Sequence, residues 1–455
     1  MDTASVRTAD DARAVVEERG LSHVKLGLFD LDGVLRGKYV SRAKFLSALE
    51  GGFGFCDVVL GWDSDDQLYD NVRFTGWHTG YPDAPALIVP ETCRDLPLED
   101  GLLFLAEFAG PAEALCPRGL LRRVVARAEA MGFAPYAALE YEFFLFAETP
   151  DSARAKGWRD LKPLTPGNFG YSVLRSSVWA DFHKELLALS DAMRFPLEGL
   201  HTETGPGVLE AAITVDGALE AADRAALFKT FTKVLAQRHD MMATFMARWS
   251  NAYAGQSGHV HLSLRDRDGG GAAFHDPDAP DGLSPTLRSF VAGQQRLMPE
   301  LLCMTAATVN SFSRLVPGFW APTAATWGIE NRTTSIRVIP GSPKSQRVEY
   351  RVAAADANPY LTLAAAIASG LHGIERGLKP TEPVRGNAYQ TAAPEELQFP
   401  RTLTDAAARL RGSAVAREWF GDAFVEHFAA TREWEDRQYR AAITDWELRR
   451  YFEII

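Results

Sequence analysis

Cysteine is scarce in this chain: Cys56, Cys93, Cys116 and Cys303 are the only four in 455 residues, and no two stand at C-x-x-C spacing. That spacing excludes a disulfide framework and a paired-thiolate zinc site, leaving ordinary reduced thiols. No run of eighteen apolar residues occurs, and the first twenty residues, MDTASVRTADDARAVVEERG, lack the apolar core of a signal peptide. A cytoplasmic protein with no membrane partner is therefore expected. Basic residues are outnumbered, with a formal net charge of -11, so the chain has no excess of cations to neutralise nucleic-acid phosphates or an anionic bilayer. A Walker loop of the form G-x-x-x-x-G-K-[ST] is also missing, which means that any nucleotide must be held by other means.

Apolar residues make up 46% of the chain and charged residues 24%, enough for a large core divided between two domains. Helical spacing over Thr8 to Arg19 gives way to strand-like alternation from Val24 to Leu35 and Gly37 to Val40 around the turn pair Asp32-Gly33, which predicts a hairpin. Short strands are expected at 86–90 and 101–108. A polar, glycine-rich stretch fills 51–82. We expect a small β-rich domain over residues 1–110 and a larger one over 117–455. In the second, helices are predicted over 118–131, 176–193 and 216–239, and strands at 139–146, 203–213, 258–264, 335–339 and 347–352. The fold class is α+β. A glycine- and aspartate-rich loop is expected at 266–281.

The strongest chemical signal is the apolar run Leu139 to Phe146, which carries Glu140 and Glu142. Successive strand side chains alternate faces, so these two carboxylates point the same way, roughly 7 Å apart. Burying both without a cation is costly, which calls for a divalent metal, an arginine cluster, or both. Three further segments repeat the device: Glu203-Thr-Gly-Pro-Gly-Val-Leu-Glu210, His259-Val-His261-Leu-Ser263, and Arg347-Val-Glu349-Tyr-Arg351. Between Arg314 and Arg351 lie six basic residues, Arg314, Arg332, Arg337, Lys344, Arg347 and Arg351, against only Glu330 and Glu349. Such a stretch expects an anionic ligand. Five carboxylates with one or two histidines suit a pair of magnesium or manganese ions better than zinc. Metals beside arginines are the equipment of phosphoryl transfer.

These segments in this order resemble glutamine synthetase over nearly the whole chain, from the hairpin near Asp32 to Tyr451. The resemblance implies a small N-terminal β-grasp-like domain and a large catalytic domain with a curved antiparallel sheet. It also implies an ATP-dependent ligase that makes γ-glutamyl phosphate for an amine to attack. By that resemblance Glu142, Glu203 and Glu210 hold one metal, and Glu140, His259 and Glu349 another. Arg314, in the flap-like segment 310–319, binds the glutamate carboxylate. Arg332 and Arg351 face glutamate and the transferred phosphoryl group, while His261, Ser263, Arg337, Lys344 and Arg347 contact ATP. A homo-oligomer is implied, a hexameric ring or two stacked rings, with active sites between neighbouring subunits.

The pattern breaks at the flap. Glutamine synthetases proper carry a glutamate there that helps deprotonate ammonium; this chain has Trp320. Indole offers an apolar face and one N–H donor in place of an acceptor. The usual Gly-Pro-Gly-Gln reads Gly205-Pro-Gly-Val208, and the segment before the first histidine reads Gly255-Gln-Ser-Gly258. Asp57 is only a shifted candidate for the small-domain aspartate. With Phe319 and Tyr171, Trp320 is expected to form a pocket for a primary amine larger than ammonia, hydrophobic or aromatic, by cation–π or stacking contact. The alternatives are ammonia itself, a polyamine, or a non-catalytic relative. A remoter rival is a haloacid-dehalogenase-type phosphatase, because Phe29-Asp30-Leu-Asp32-Gly-Val-Leu35 matches the opening motif of that class.

Overall fold

The computed structural model describes residues 1–268 and 270–455. The first helix, Ala9–Glu18, starts where Thr8 accepts from the Asp11 backbone N–H and the Asp11 side chain returns the bond, a reciprocal cap that satisfies two orphan donors. Beyond it the chain forms a six-stranded sheet from β1 (His23–Phe29), β2 (Leu35–Ser41), β3 (Phe53–Cys56), β4 (Asp83–Ile88), β5 (Arg94–Leu96) and β6 (Gly101–Phe108). Its order is β2-β1-β6-β4-β3, with β5 also on β6; β1 and β6 run parallel.

The β1–β2 hairpin forms as expected, and its turn explains Asp30. The Asp30 carboxylate accepts from the Asp32 and Val34 backbone N–H groups at 3.1 and 2.8 Å and from Arg36 Nε at 2.8 Å. Asn358 Nδ2 donates to the Asp30 and Leu31 carbonyls. Asp30 is buried and spent on holding a turn, where a phosphatase nucleophile would need a free oxygen facing a cavity.

The second sheet has nine strands: β7 (Phe133–Phe146), β8 (Leu197–Thr202), β9 (Val208–Ile213), β10 (Asp216–Gly217), β11 (Met242–Thr244), β12 (Gly258–Asp266), β13 (Trp327–Ile329), β14 (Ile336–Ile339) and β15 (Arg347–Tyr350). Its main path is β13-β14-β15-β12-β7-β9-β8. The sheet curls, and every pairing except β13 with β14 is antiparallel. Along β7 the odd-numbered Tyr141 and Phe143 pack on Phe228 of the helix Ala218–Arg238, at ring-centroid distances of 6.2 and 5.8 Å. The alternation predicted from sequence thus turns Glu140 and Glu142 to the opposite face. One contiguous apolar core runs through both sheets, from Val6 to Phe428.

Three expected elements are corrected. The single helix over 176–193 is two, Val173–Val178 and Ala180–Ala192, broken at Trp179. The strand expected at 203–213 is the turn and second strand of a β8–β9 hairpin, whose first strand has a register irregularity at Leu197/Gly199. The helix expected from Asp216 begins at Ala218, after the two-residue strand Asp216–Gly217.

Candidate active site

The curled sheet encloses a cavity of about 590 Å³ whose walls bring together Glu140, Glu142, Glu203, Glu210, His259 and Glu349, all six expected metal ligands. Glu140, His259 and Glu349 come from three adjacent strands, β7, β12 and β15. His259 Nδ1 lies 3.3 Å from Glu140 Oε1 and 3.4 Å from Glu349 Oε1. Glu203 and Glu210 flank a Gly-Pro-Gly turn that needs its glycines. Gly207 has φ +72°, and a Cβ there would stand 2.5 Å from the Leu145 carbonyl oxygen.

The second group of potential ligands is not quite the expected trio. His201, absent from the expected ligands, joins Glu203 and Glu210, with His201 Nε2 3.0 Å from Glu210 Oε1. Glu142 stands on the same wall and accepts from the Ser257 backbone N–H at 2.6 Å. His201 precedes Glu203 by two residues, the same i, i+2 signal that singled out Glu140 and Glu142. The turn after Thr202 and the glycine at 199 hid it.

Burial works against the carboxylates of Glu140, Glu142, Glu210 and Glu349, and the neighbours decide the outcome. It raises the pKa of Glu142 and of Glu210, where the His201 contact only partly offsets it. For Glu140 the same burial is outweighed by hydrogen bonds from His259 and His261, which hold it below the usual carboxylate range. Burial and the Arg351 charge together push His259 down, favouring a neutral imidazole able to act as a ligand.

Five arginines ring the acids. Arg337 Nη1 donates to Glu349 Oε2 at 3.0 Å, Arg351 bonds Glu349 Oε1, and Arg347 Nε donates to His261 Nδ1 at 3.1 Å. Arg314 is buried, with two donors on the Val352 and Arg351 carbonyls, and Arg332 is an exposed lining residue. Of the expected nucleotide contacts, His261, Arg337 and Arg347 line the cavity. Ser263 does not; it pairs with Tyr136 farther along β12. Lys344 is exposed in the turn before β15, also outside the lining.

Phe319, Trp320 and Tyr171 all reach the cavity. Trp320 is 60% exposed and has φ +61°, a backbone region unusual for a bulky residue. Tyr171 stacks on His201, centroids 4.4 Å apart. Asp57 lies elsewhere, buried and bonded by Thr75 Oγ1 at 2.7 Å.

The donor set fits hard divalent ions. It is rich in oxygen and includes the opposed, half-buried carboxylates of Glu142 and Glu210, which an ion between them would satisfy. The whole arrangement, acids ringed by guanidinium groups, suits transfer of a phosphoryl group to an acid.

Comparisons with known proteins point the same way. The family described as glutamine synthetase, catalytic domain, matches residues 114–451. The chain is 45% identical to type-1 glutamine synthetase 2 of Dictyostelium discoideum, over 95% of this chain and 84% of that one. It is 38% identical to glutamate–isopropylamine ligase of a Pseudomonas species, over 97% of each. The solved structure of the GmaS/ADP complex, conformation 1, superposes with a TM-score of 0.84 at 28% identity, covering 97% of this chain and 99% of that one.

Proposed function

Since the chain belongs to the glutamine synthetase family of ATP-dependent carbon–nitrogen ligases, we propose that it joins the γ-carboxylate of glutamate to a primary amine larger and more apolar than ammonia. Glutamate attacks the γ-phosphorus of ATP, releasing ADP. The amine then displaces phosphate from γ-glutamyl phosphate and loses a proton, giving an N-substituted γ-glutamyl amide. The observation that carries this reading is Trp320, placed at the cavity beside Phe319 and Tyr171, where the resemblance to glutamine synthetase leads one to expect a carboxylate. A flat indole face attracts an alkylammonium or stacks with an arylamine, and it cannot accept the proton that ammonium must lose. The Pseudomonas relative named for isopropylamine supports the reading.

Bound magnesium or manganese would neutralise phosphate oxygens, held by Glu140, His259 and Glu349 at one position and by Glu203, Glu210 and Glu142, with His201, at the other. Arg332 and Arg351 bind the spread negative charge of the phosphoryl group, and Arg337 and Arg347 hold the polyphosphate. Arg314, buried at its place in the flap segment, orients the glutamate carboxylate.

The Dictyostelium relative named as a glutamine synthetase favours a second reading, in which ammonia is the nucleophile and Trp320 only excludes water. Steady-state assays with ammonia, isopropylamine, ethanolamine, putrescine and aniline separate the two. We further propose a cytoplasmic homo-oligomer, six subunits in a ring or twelve in two. Exposed Val173, Leu174 and Val178, and Trp446, Phe452 and Ile454, are apolar surface that a lone subunit would leave wet. Among the described residues, no helix is long and apolar enough to cross a membrane.

A further inference from the structure

We propose that Arg248 is a positioning residue that fastens the flap, residues 309–321, and thereby sets the orientation of Trp320 for the incoming nucleophile. Arg248 lies in the loop between β11 and β12, outside the cavity lining, and the active-site reading gives it no role. Yet it touches the flap at three points. Its backbone N–H donates to Asn310 Oδ1, and Asn310 Nδ2 donates back to its carbonyl, both at 2.8 Å. Nη1 donates to the Ser313 carbonyl at 2.7 Å. The guanidinium carbon then sits 4.7 Å from the centre of the Phe319 ring, within cation–π range.

The remaining donors fix the plane of the fork, with Nε on the Ser250 carbonyl and Nη2 on that of Asn251, both at 3.3 Å. Among the described residues Arg248 has no ion pair. An arginine bonded to three carbonyls and a ring is used for its geometry, which the single ammonium of lysine cannot reproduce.

The next residue explains why such a brace is needed. Trp320 holds a left-handed backbone, and a strained conformation persists only where its neighbours over-determine it. Phe319 is held by Arg248 on one side. On the other, Tyr389 Oη donates to the Ala321 carbonyl at 3.1 Å. Trp320 itself is left exposed between two pinned residues, its direction set by them. The same loop supports Arg314: a Cβ on Gly255 would meet the Arg314 side chain at 2.8 Å. Arg248 therefore ties the loop beneath the glutamate-facing arginine to the flap above the nucleophile.

The inference rests on the ligase reading and is independent of which amine is used. Its test compares full-length, metal-loaded Arg248→Met and Arg248→Lys with wild type, using whichever nucleophile wild type prefers, ammonia included. If ammonia wins, the bulky-amine reading fails while Arg248 is still judged. The expected result for Arg248→Met is a rise of tenfold or more in the nucleophile KM and a KM for ATP within twofold of wild type. Amide formed per ADP should also fall severalfold, because water entering under a loosened flap hydrolyses γ-glutamyl phosphate to glutamate and phosphate. Arg248→Lys, which keeps the charge over Phe319, should recover part of both. Should Arg248→Met fail to fold, Asn310→Ala, outside the cavity lining, removes the two bonds to the Arg248 backbone and should raise the same KM. A uniform fall in kcat with unchanged KM and full coupling, or no change at all, would overturn the proposal.

Discussion

Glu142 and Glu210 stand directly opposite one another in the antiparallel register of β7 and β9, and burial raises the pKa of both. Like charges facing across a sheet destabilise it by roughly 1 kcal/mol unless a cation lies between them. The fold is therefore expected to be weaker without metal. At a magnesium or manganese concentration 100-fold above Kd, stability should rise by about 2.7 kcal/mol, and EDTA should reverse it. Glu142→Gln, whose amide oxygen can still accept from Ser257, should be more stable than wild type in EDTA and gain less from metal. Urea unfolding with and without metal measures both effects.

Replacing Trp320 by Glu restores a carboxylate at the flap. The expected result is a shift in kcat/KM toward ammonia and away from the preferred amine by about tenfold to a hundredfold, the scale of one apolar or charged pocket contact. Competition assays with both nucleophiles present read the ratio directly. An unchanged ratio would reduce Trp320 to a water-excluding lid.

Asp30→Asn separates the ligase from the phosphatase reading. An amide nitrogen must then face one of the three donors that the carboxylate satisfies, which costs about 1 to 3 kcal/mol of stability. ADP-forming activity per folded molecule should survive, and phosphatase activity should be absent from wild type and variant alike.

Acid should weaken the packing of the helix Asp422–Ala441 on the segment around Leu60. His427 Nε2 donates to the Leu60 carbonyl at 2.8 Å, joining the helix Asp422–Ala441 to the turn that follows β3. Burial depresses the His427 pKa to about 4, against that hydrogen bond. The unfolded chain, with an ordinary histidine pKa near 6.5, binds the proton first as pH falls. Stability is thus lost between about pH 6.5 and 4, by up to roughly 3 kcal/mol from this residue. His427→Gln keeps a donor but has no proton to gain, and its unfolding midpoint should vary less over that range.

What the sequence made legible follows from period. The glutamates of β7, the histidines of β12 and Glu349 of β15 sit on uninterrupted strands, so alternation alone put them on one face, and the curl of the sheet brought the strands together. His201 escaped because its strand contains Gly199 and a register irregularity, which erase the alternating pattern. Ser263 and Lys344 rest on resemblance alone; β12 carries Ser263 past the cavity lining, and Lys344 sits in an exposed turn. The break at Trp179 is invisible to helical periodicity because the two short helices share an apolar spacing. Arg248 has no local signal at all: its partners Asn310, Ser313 and Phe319 lie more than sixty residues on, and only the folded loop brings them together.

The central claim is that this acid-and-arginine cavity activates glutamate for an amine chosen by an indole flap. Measuring kcat/KM for ammonia, isopropylamine, ethanolamine, putrescine and aniline, with glutamate, ATP and magnesium saturating, tests it most directly. The account predicts that isopropylamine or aniline exceeds ammonia by at least about tenfold, with ADP and amide formed one for one. Ammonia as the best nucleophile, or no glutamate-dependent ADP release with any of the five, would contradict it.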